Sequence, residues 1–238
     1  MIWQSLFLSS LLSALPIVAW LIFFLWQDVK KPEPKRWIFL CFSLGALTTP
    51  IAYWLENRFI IWSGINLESE LSIGVNILLY GVIALIEELL KFLVIRIALK
   101  ENRYFDEAID AMIYLIAAAL GFGVIENILA SLDYFIIPNY YLNGIGVLVL
   151  RFIGANLVHV LSSGLIGYFW ALFLISKKKY YLYEGLFWGI LLHWGFNLAI
   201  IFFGQAALLS ITIFLFAVTI CLLWIFDTLK HIEKRIEY

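Results

Sequence analysis

The chain has 238 residues, is 64% hydrophobic and only 14% charged, and carries a net charge of −1 with a mean hydropathy of +0.97. That balance excludes an ordinary soluble globular domain, and the lack of a basic domain or aromatic-rich basic strip gives no reason to expect a nucleic-acid partner. The two cysteines, Cys41 and Cys221, sit in separate apolar runs without zinc-knuckle or redox spacing and read as packing residues.

Apolar runs long enough to cross a roughly 30 Å hydrocarbon core lie near residues 5–26, 37–55, 71–98, 108–132, 146–175, 182–203 and 207–226. The expected fold class is all-α: a polytopic membrane helix bundle of about seven transmembrane helices, forming one domain over residues 1–238. The opening "MIWQSLFLSS" has neither the positive region nor the cleavage site of a signal peptide, so the first run is expected to stay as a helix.

Every second connection is basic: Lys30, Lys31, Lys35 and Arg36; then Arg96, Lys100 and Arg103; then Lys177 to Lys179; then Lys230, Lys234 and Arg235. The alternate connections carry only Arg58, amid Glu56, Glu68 and Glu70. By the positive-inside rule the N-terminus is expected outside and the C-terminus in the cytoplasm. The hairpin around "FGQAA" is short enough to hold an irregular turn. Connections such as "QDVKKPEPKR" and "KENRYFDE" are too short to fold alone, so any activity must be assembled between the helices.

Ionisable groups inside a membrane are costly and mark functional sites by default. The first two spans are read as having none. Span three carries Glu87, Glu88 and Lys91 in "LIEELLK"; span four carries Glu126 and Asn127; span five carries Arg151, Asn156 and His159; span six carries His193 and Asn197. Glu87, His159 and His193 fall near the middle of their spans, with Glu126 and Asn197 about one turn outward. Helical spacing puts Glu87 with Lys91, Phe122 with Glu126, and His193 with Asn197 on common faces.

Each residue also has a plainer reading. A glutamate and Lys91 can form a buried ion pair, which leaves the second carboxylate unexplained. One intramembrane histidine can simply bond a neighbouring helix; two idle ones are a weaker explanation. Asn127 and Asn156 read as interhelical hydrogen-bonding residues and Arg151 as a side chain snorkelling to the outer interface. The stretches "AAALGFG" and "SSGLIG" suit close helix packing. Asp106, Glu107 and Asp110 suit the positive end of the fourth helix.

The series "EELLK", "DEAIDAMIYLIAAALGFGVIEN", "RFIGANLVHVLSSGLIGY" and "LLHWGFN" resembles the motif series of PrsW-type intramembrane proteases, within a wider superfamily of CAAX prenyl endopeptidases and bacteriocin-processing enzymes. The match runs from about residue 85 to 200, one motif per span, inside a motif-bearing core of about 71–203. The resemblance implies that Glu87 and Glu88 are twin site glutamates, that Glu126 and His159 follow, and that His193 with Asn197 forms the last motif. Where CAAX enzymes usually place a histidine four residues after the phenylalanine, this chain has Glu126, as PrsW-type members do.

Peptide hydrolysis needs a base, a water and donors for the developing oxyanion. Glu87 or Glu88 supplies the base and His193 with Asn197 the donors, with Lys91 in support. Ser162 and Ser163 share a helix with His159, and no GxSxG elbow exists. A zinc alternative uses Glu126, His159 and His193 as ligands, without an HExxH signature; a metal-free mechanism needs no cofactor. The expected function is an intramembrane endopeptidase acting on a membrane-anchored protein, such as the anti-sigma factors that PrsW-type members are associated with cleaving, in the lipid bilayer of a prokaryotic cell membrane. The alternatives are a proton- or cation-coupled transporter using the same cluster as a relay, or a non-catalytic scaffold derived from a protease. No internal repeat supports the transporter.

Overall fold

The computed structural model describes residues 2–26, 32–68, 70–137, 139–204 and 208–236. They form α1 (Ile2–Leu25), α2 (Lys35–Ser63), α3 (Ile73–Ala98), α4 (Asp110–Ile136), α5 (Tyr141–Ile153), α6 (Ala155–Ser176), α7 (Tyr180–Phe203) and α8 (Leu208–Ile236). Counting α5 and α6 as one segment, six helices are long and apolar enough to cross a membrane. The helix outside that set, α3, has 26 residues; at 1.5 Å per residue it extends about 39 Å, also enough for the hydrocarbon core. The all-helical bundle of about seven spans is therefore as expected.

The bundle is built around α4, buried without interruption from Asp110 to Gly123 and packed against α1, α2 and α6. Small residues make this possible, since helices in lipid associate through close packing rather than hydrophobic exclusion. A Cβ on Gly45 would lie 1.9 Å from the Ala118 carbonyl oxygen, and one on Gly121 would lie 1.8 Å from that of Phe42. The backbones of α2 and α4 thus touch at a reciprocal glycine crossing. Thr49 Oγ1 adds a hydrogen bond to the Phe122 carbonyl at 3.3 Å.

Helix ends follow local chemistry. Ser72 Oγ accepts from the Val75 amide and caps α3. Asp110 Oδ2 accepts from the amides of Asp106 and Glu107 at 3.1 and 2.9 Å, which agrees with an acidic start to α4. The Tyr114 hydroxyl, one turn on, donates to Glu33.

Three differences from the expected spans bear on function. Helix α2 continues to Ser63, so Glu56 and Arg58 are helical rather than part of a connection. The fifth span is two helices meeting at Gly154, whose φ of −114° and ψ of −92° depart from helical geometry. Helical bonding persists on either side, from the Gly154 amide to Leu150 O at 3.0 Å and from the Val158 amide to Gly154 O at 2.9 Å, so the junction is a kink. A Cβ there would meet the Phe196 ring at 3.3 Å. Finally, α8 runs on to Ile236. Lys30 and Lys31 of the first basic connection, and residues 205–207 of the "FGQAA" hairpin, lie outside the described residues.

Candidate active site

Helix α3 buries Glu87, Glu88 and Lys91 on one side. Lys91 Nζ stands 2.6 Å from Glu88 Oε1 with neither side chain exposed, and 4.6 Å over the centre of the Phe122 ring. Glu88 Oε1 also accepts from His193 Nδ1 at 2.8 Å, and its Oε2 accepts from Ser163 Oγ at 3.0 Å. Donors from α3, α6 and α7 therefore converge on Glu88.

Its neighbour is in the opposite condition. Glu87 Oε2 is buried without a hydrogen-bond partner. It faces His159 Nδ1 at 3.8 Å, His193 Nε2 at 3.8 Å and Lys91 Nζ at 3.9 Å. These separations are too long for direct hydrogen bonds. An unmatched buried oxygen is costly unless something occupies the space before it.

The hydrogen-bond partners assign the histidine tautomers. His159 Nε2 lies 2.6 Å from Glu126 Oε2 and Nδ1 lies 3.2 Å from Lys91 Nζ. A carboxylate accepts and an ammonium donates, so the proton belongs on Nε2 and the lone pair on Nδ1. His193 donates through Nδ1 to Glu88 and turns the Nε2 lone pair toward Glu87. The two rings meet edge to face, 4.8 Å apart and at 87°. Glu126 Oε2 also accepts from Arg151 Nη2 at 3.0 Å, while Arg151 Nε donates to Asn127 Oδ1 at 2.6 Å.

A cavity of about 580 Å³ opens on this cluster and is lined by Glu56, Tyr80, Glu87, Glu126, Arg151, His159, His193 and Asn197 among mainly apolar side chains. Its walls come from the halves of the helices nearest the α2–α3, α4–α5 and α7–α8 connections. The structure thus brings together Glu87, Glu88, Lys91, Glu126, His159 and His193, with Asn197 on the cavity wall.

Two cavity residues fall outside the expected set. Arg151, read as snorkelling, instead turns inward onto Glu126; its spacing of eight from His159, about two turns, is the sequence signal for a shared side. Glu56, read as part of a connection, stands on α2 eleven residues after Gly45, about three turns, and so on the side facing α4.

The expected metal-ligand set also differs from the observed grouping. Among the described residues, the ligand atoms within 4.8 Å of one another here belong to Glu87, His159 and His193. Glu126 stands outside that grouping, its Oε2 bonded to His159 Nε2 and Arg151. Two imidazole nitrogens and a carboxylate oxygen are suitable donors for a catalytic zinc ion, and the unmatched Glu87 Oε2 fits that use. The Lys91 ammonium on His159 Nδ1 would have to give way.

A family model described as "PrsW family intramembrane metalloprotease" matches residues 33–225. A protein named Protease PrsW from Geobacillus kaustophilus is 30% identical over 192 residues, covering 77% of this chain and 76% of the relative. One of the same name from Clostridioides difficile is 26% identical over 232 residues, covering 96% and 91%, and one from Oceanobacillus iheyensis is 32% identical over 163 residues, covering 67% of each. No solved structure matches the chain. With the family model spanning most of its length and the polar cluster carried on the matched helices, the chain belongs to the PrsW family of intramembrane proteases.

Proposed function

We propose that the chain is an intramembrane endopeptidase that hydrolyses a peptide bond of a membrane-anchored protein, with Glu87 as the base that activates water. The observation carrying this reading is the contrast between the twin glutamates. Glu88 is saturated by Lys91, His193 and Ser163, whereas Glu87 turns an unpartnered oxygen into the cavity.

A water held between Glu87 Oε2 and His193 Nε2 would lose a proton to Glu87 as its oxygen attacks the scissile carbonyl. The amide of Asn197, which has no hydrogen-bond partner among the described residues, is available on the same wall to donate to the developing oxyanion. The proton on Glu87 then passes to the leaving amine as the C–N bond breaks. Glu88 and Glu126 hold the imidazoles, and Lys91 keeps a positive charge beside the negative charge that develops.

The Glu87, His159 and His193 grouping supports a second reading in which these residues hold zinc, as the description of the family also suggests. When bound, that ion would supply an acidified water and polarise the carbonyl. In this reading Glu88 and Glu126 orient the ligand histidines through their other ring nitrogens. Membership in a protease family leaves the transporter reading without support.

The alternating basic connections support an N-terminus outside and a C-terminus in the cytoplasm. In that orientation the cavity opens to the outer half of the bilayer, where the ectodomain-proximal part of a single-span substrate, an anti-sigma factor for example, would enter. The test is cleavage of single-span substrates by protein purified into lipid, comparing wild type with Glu87→Gln. Loss of cleavage in a folded variant is expected; undiminished cleavage would sink the assignment.

A further inference from the structure

We infer that Glu56, with Tyr80, forms a subsite at the cavity mouth for a cationic side chain of the substrate, a lysine or arginine beside the scissile bond. This rests on the peptidase reading and adds a rule about what the enzyme cuts.

Charge pairing in the cavity leads to Glu56. In the cavity wall and just beneath it, four carboxylates, Glu56, Glu87, Glu88 and Glu126, accompany two basic side chains, Lys91 and Arg151. Lys91 is held by Glu88 at 2.6 Å and Arg151 by Glu126 at 3.0 Å. Two carboxylates are left over. Glu87 lies at the floor with its side chain 5% exposed and faces the histidines.

Glu56 is the other. It lines the cavity on α2, is only half-buried, and makes no hydrogen bond or ion pair among the described residues. It is near enough to Glu126 and Glu87 for the like charges to repel, with Lys91 acting more weakly in the opposite sense. It therefore adds repulsion to an already acidic cluster without any local bond to offset it, a cost that a cationic ligand would relieve.

The surroundings suit such a ligand. Tyr80, on the adjacent helix α3, lies seven residues before Glu87, about two turns, and lines the same cavity. An aromatic face with a carboxylate is a favourable setting for an ammonium or guanidinium group. Much of the remaining wall is apolar, with Ile83, Leu150, Phe196 and Ile200 among its residues. The cavity thus fits an apolar stretch of substrate carrying one positive charge, as at the edge of a membrane-spanning segment. Arg151 is already engaged by Glu126 and Asn127, so it offers no free cation to an acidic side chain deeper in.

The test uses the full chain in lipid and one single-span substrate with Lys, Gln or Glu walked through the positions flanking its cleavage site. At one flanking position, wild type is expected to cleave the Lys substrate with a KM about tenfold below that of the Gln substrate, the scale of one charge-assisted hydrogen bond. Glu56→Gln should abolish that preference. Glu56→Lys should reverse it toward the Glu substrate, a gain that a misfolded variant could not give. Equal KM values for Lys and Gln at every position in wild type, or an unchanged Lys preference in Glu56→Lys, would overturn the subsite while leaving the peptidase reading intact. Cleavage of no substrate by wild type would overturn both.

Discussion

Replacing each twin glutamate by glutamine separates folding from chemistry, because the two side chains do opposite work. Glu88→Gln removes the nearest counter-charge of Lys91 among the described residues, a fully buried amine whose next carboxylate, Glu87, stands at 3.9 Å. It also weakens the acceptor shared with His193 and the one used by Ser163. Stranding one member of a buried pair costs about 3–5 kcal/mol. For a chain of this size that corresponds to a fall of roughly 6–20 °C in melting temperature. Glu87→Gln breaks no hydrogen bond, since Glu87 makes none among the described residues, so its melting temperature should stay close to wild type. Its cleavage rate should nevertheless fall by about 10²–10⁴-fold, the usual range for loss of a general base. Both quantities are accessible in one preparation: tryptophan fluorescence for melting, with ten Trp in the chain, and gel-based cleavage of a single-span substrate for rate. A Glu87→Gln variant that melts as low as Glu88→Gln, or that keeps wild-type activity, would refute the division of labour.

Arg151→Gln should lower cleavage about 10–100-fold, as expected of a group that orients a reacting residue through another, while costing only about 1 kcal/mol of stability because the ion pair is part-exposed; an unchanged rate would remove Arg151 from the site. Gly121→Ala forces a Cβ into the Phe42 carbonyl and should cost about 3 kcal/mol, measurable as a lower melting temperature; a neutral result would mean that the glycine crossing is looser than described. Elemental analysis of active protein decides between the two mechanisms: one tightly bound zinc per chain, lost in His159→Ala and restored together with activity by zinc alone, would refute metal-free catalysis, while full activity without it would refute the zinc reading. Single cysteines at Arg103 and Lys178 should escape an impermeant external reagent and those at Glu68 and Asn139 should react; the opposite pattern would reverse the proposed orientation.

The helices and the shared faces of the polar residues were legible because both follow from one-dimensional spacing. Turns of a helix relate Glu87 to Lys91 and Phe122 to Glu126, and Phe122 does lie under the Lys91 ammonium. Pairing between helices was not legible, because it depends on how each helix is rotated. That is why Glu126 rather than Glu87 was expected to complete the histidine grouping. Glu56 was assigned to a connection for a different reason: hydropathy falls at the first charges, whereas α2 keeps its backbone bonds through Glu56 and Arg58 to Ser63. The kink at Gly154 lies inside a continuous apolar run, and it is the crowding of a Cβ by the Leu150 carbonyl oxygen at 3.0 Å and the Phe196 ring from α7 at 3.3 Å that marks the need for a residue without a side chain there.

The order in which Glu88 gains its partners bears on how the protein is made. Lys91 is three positions away on the same helix, so α3 can enter the bilayer with one charge already neutralised and does not have to wait for another segment. Ser163 and His193 arrive 75 and 105 positions later. A nascent chain that has released α3 but not α7 holds Glu88 short of its last donor and Glu87 without the second of the two imidazoles it faces. Under the proposed mechanism, the capacity to cut a neighbouring membrane protein would therefore switch on late in synthesis, after nearly all of the bundle is in place, and a ribosome that stalled before α7 would leave behind an inert fragment.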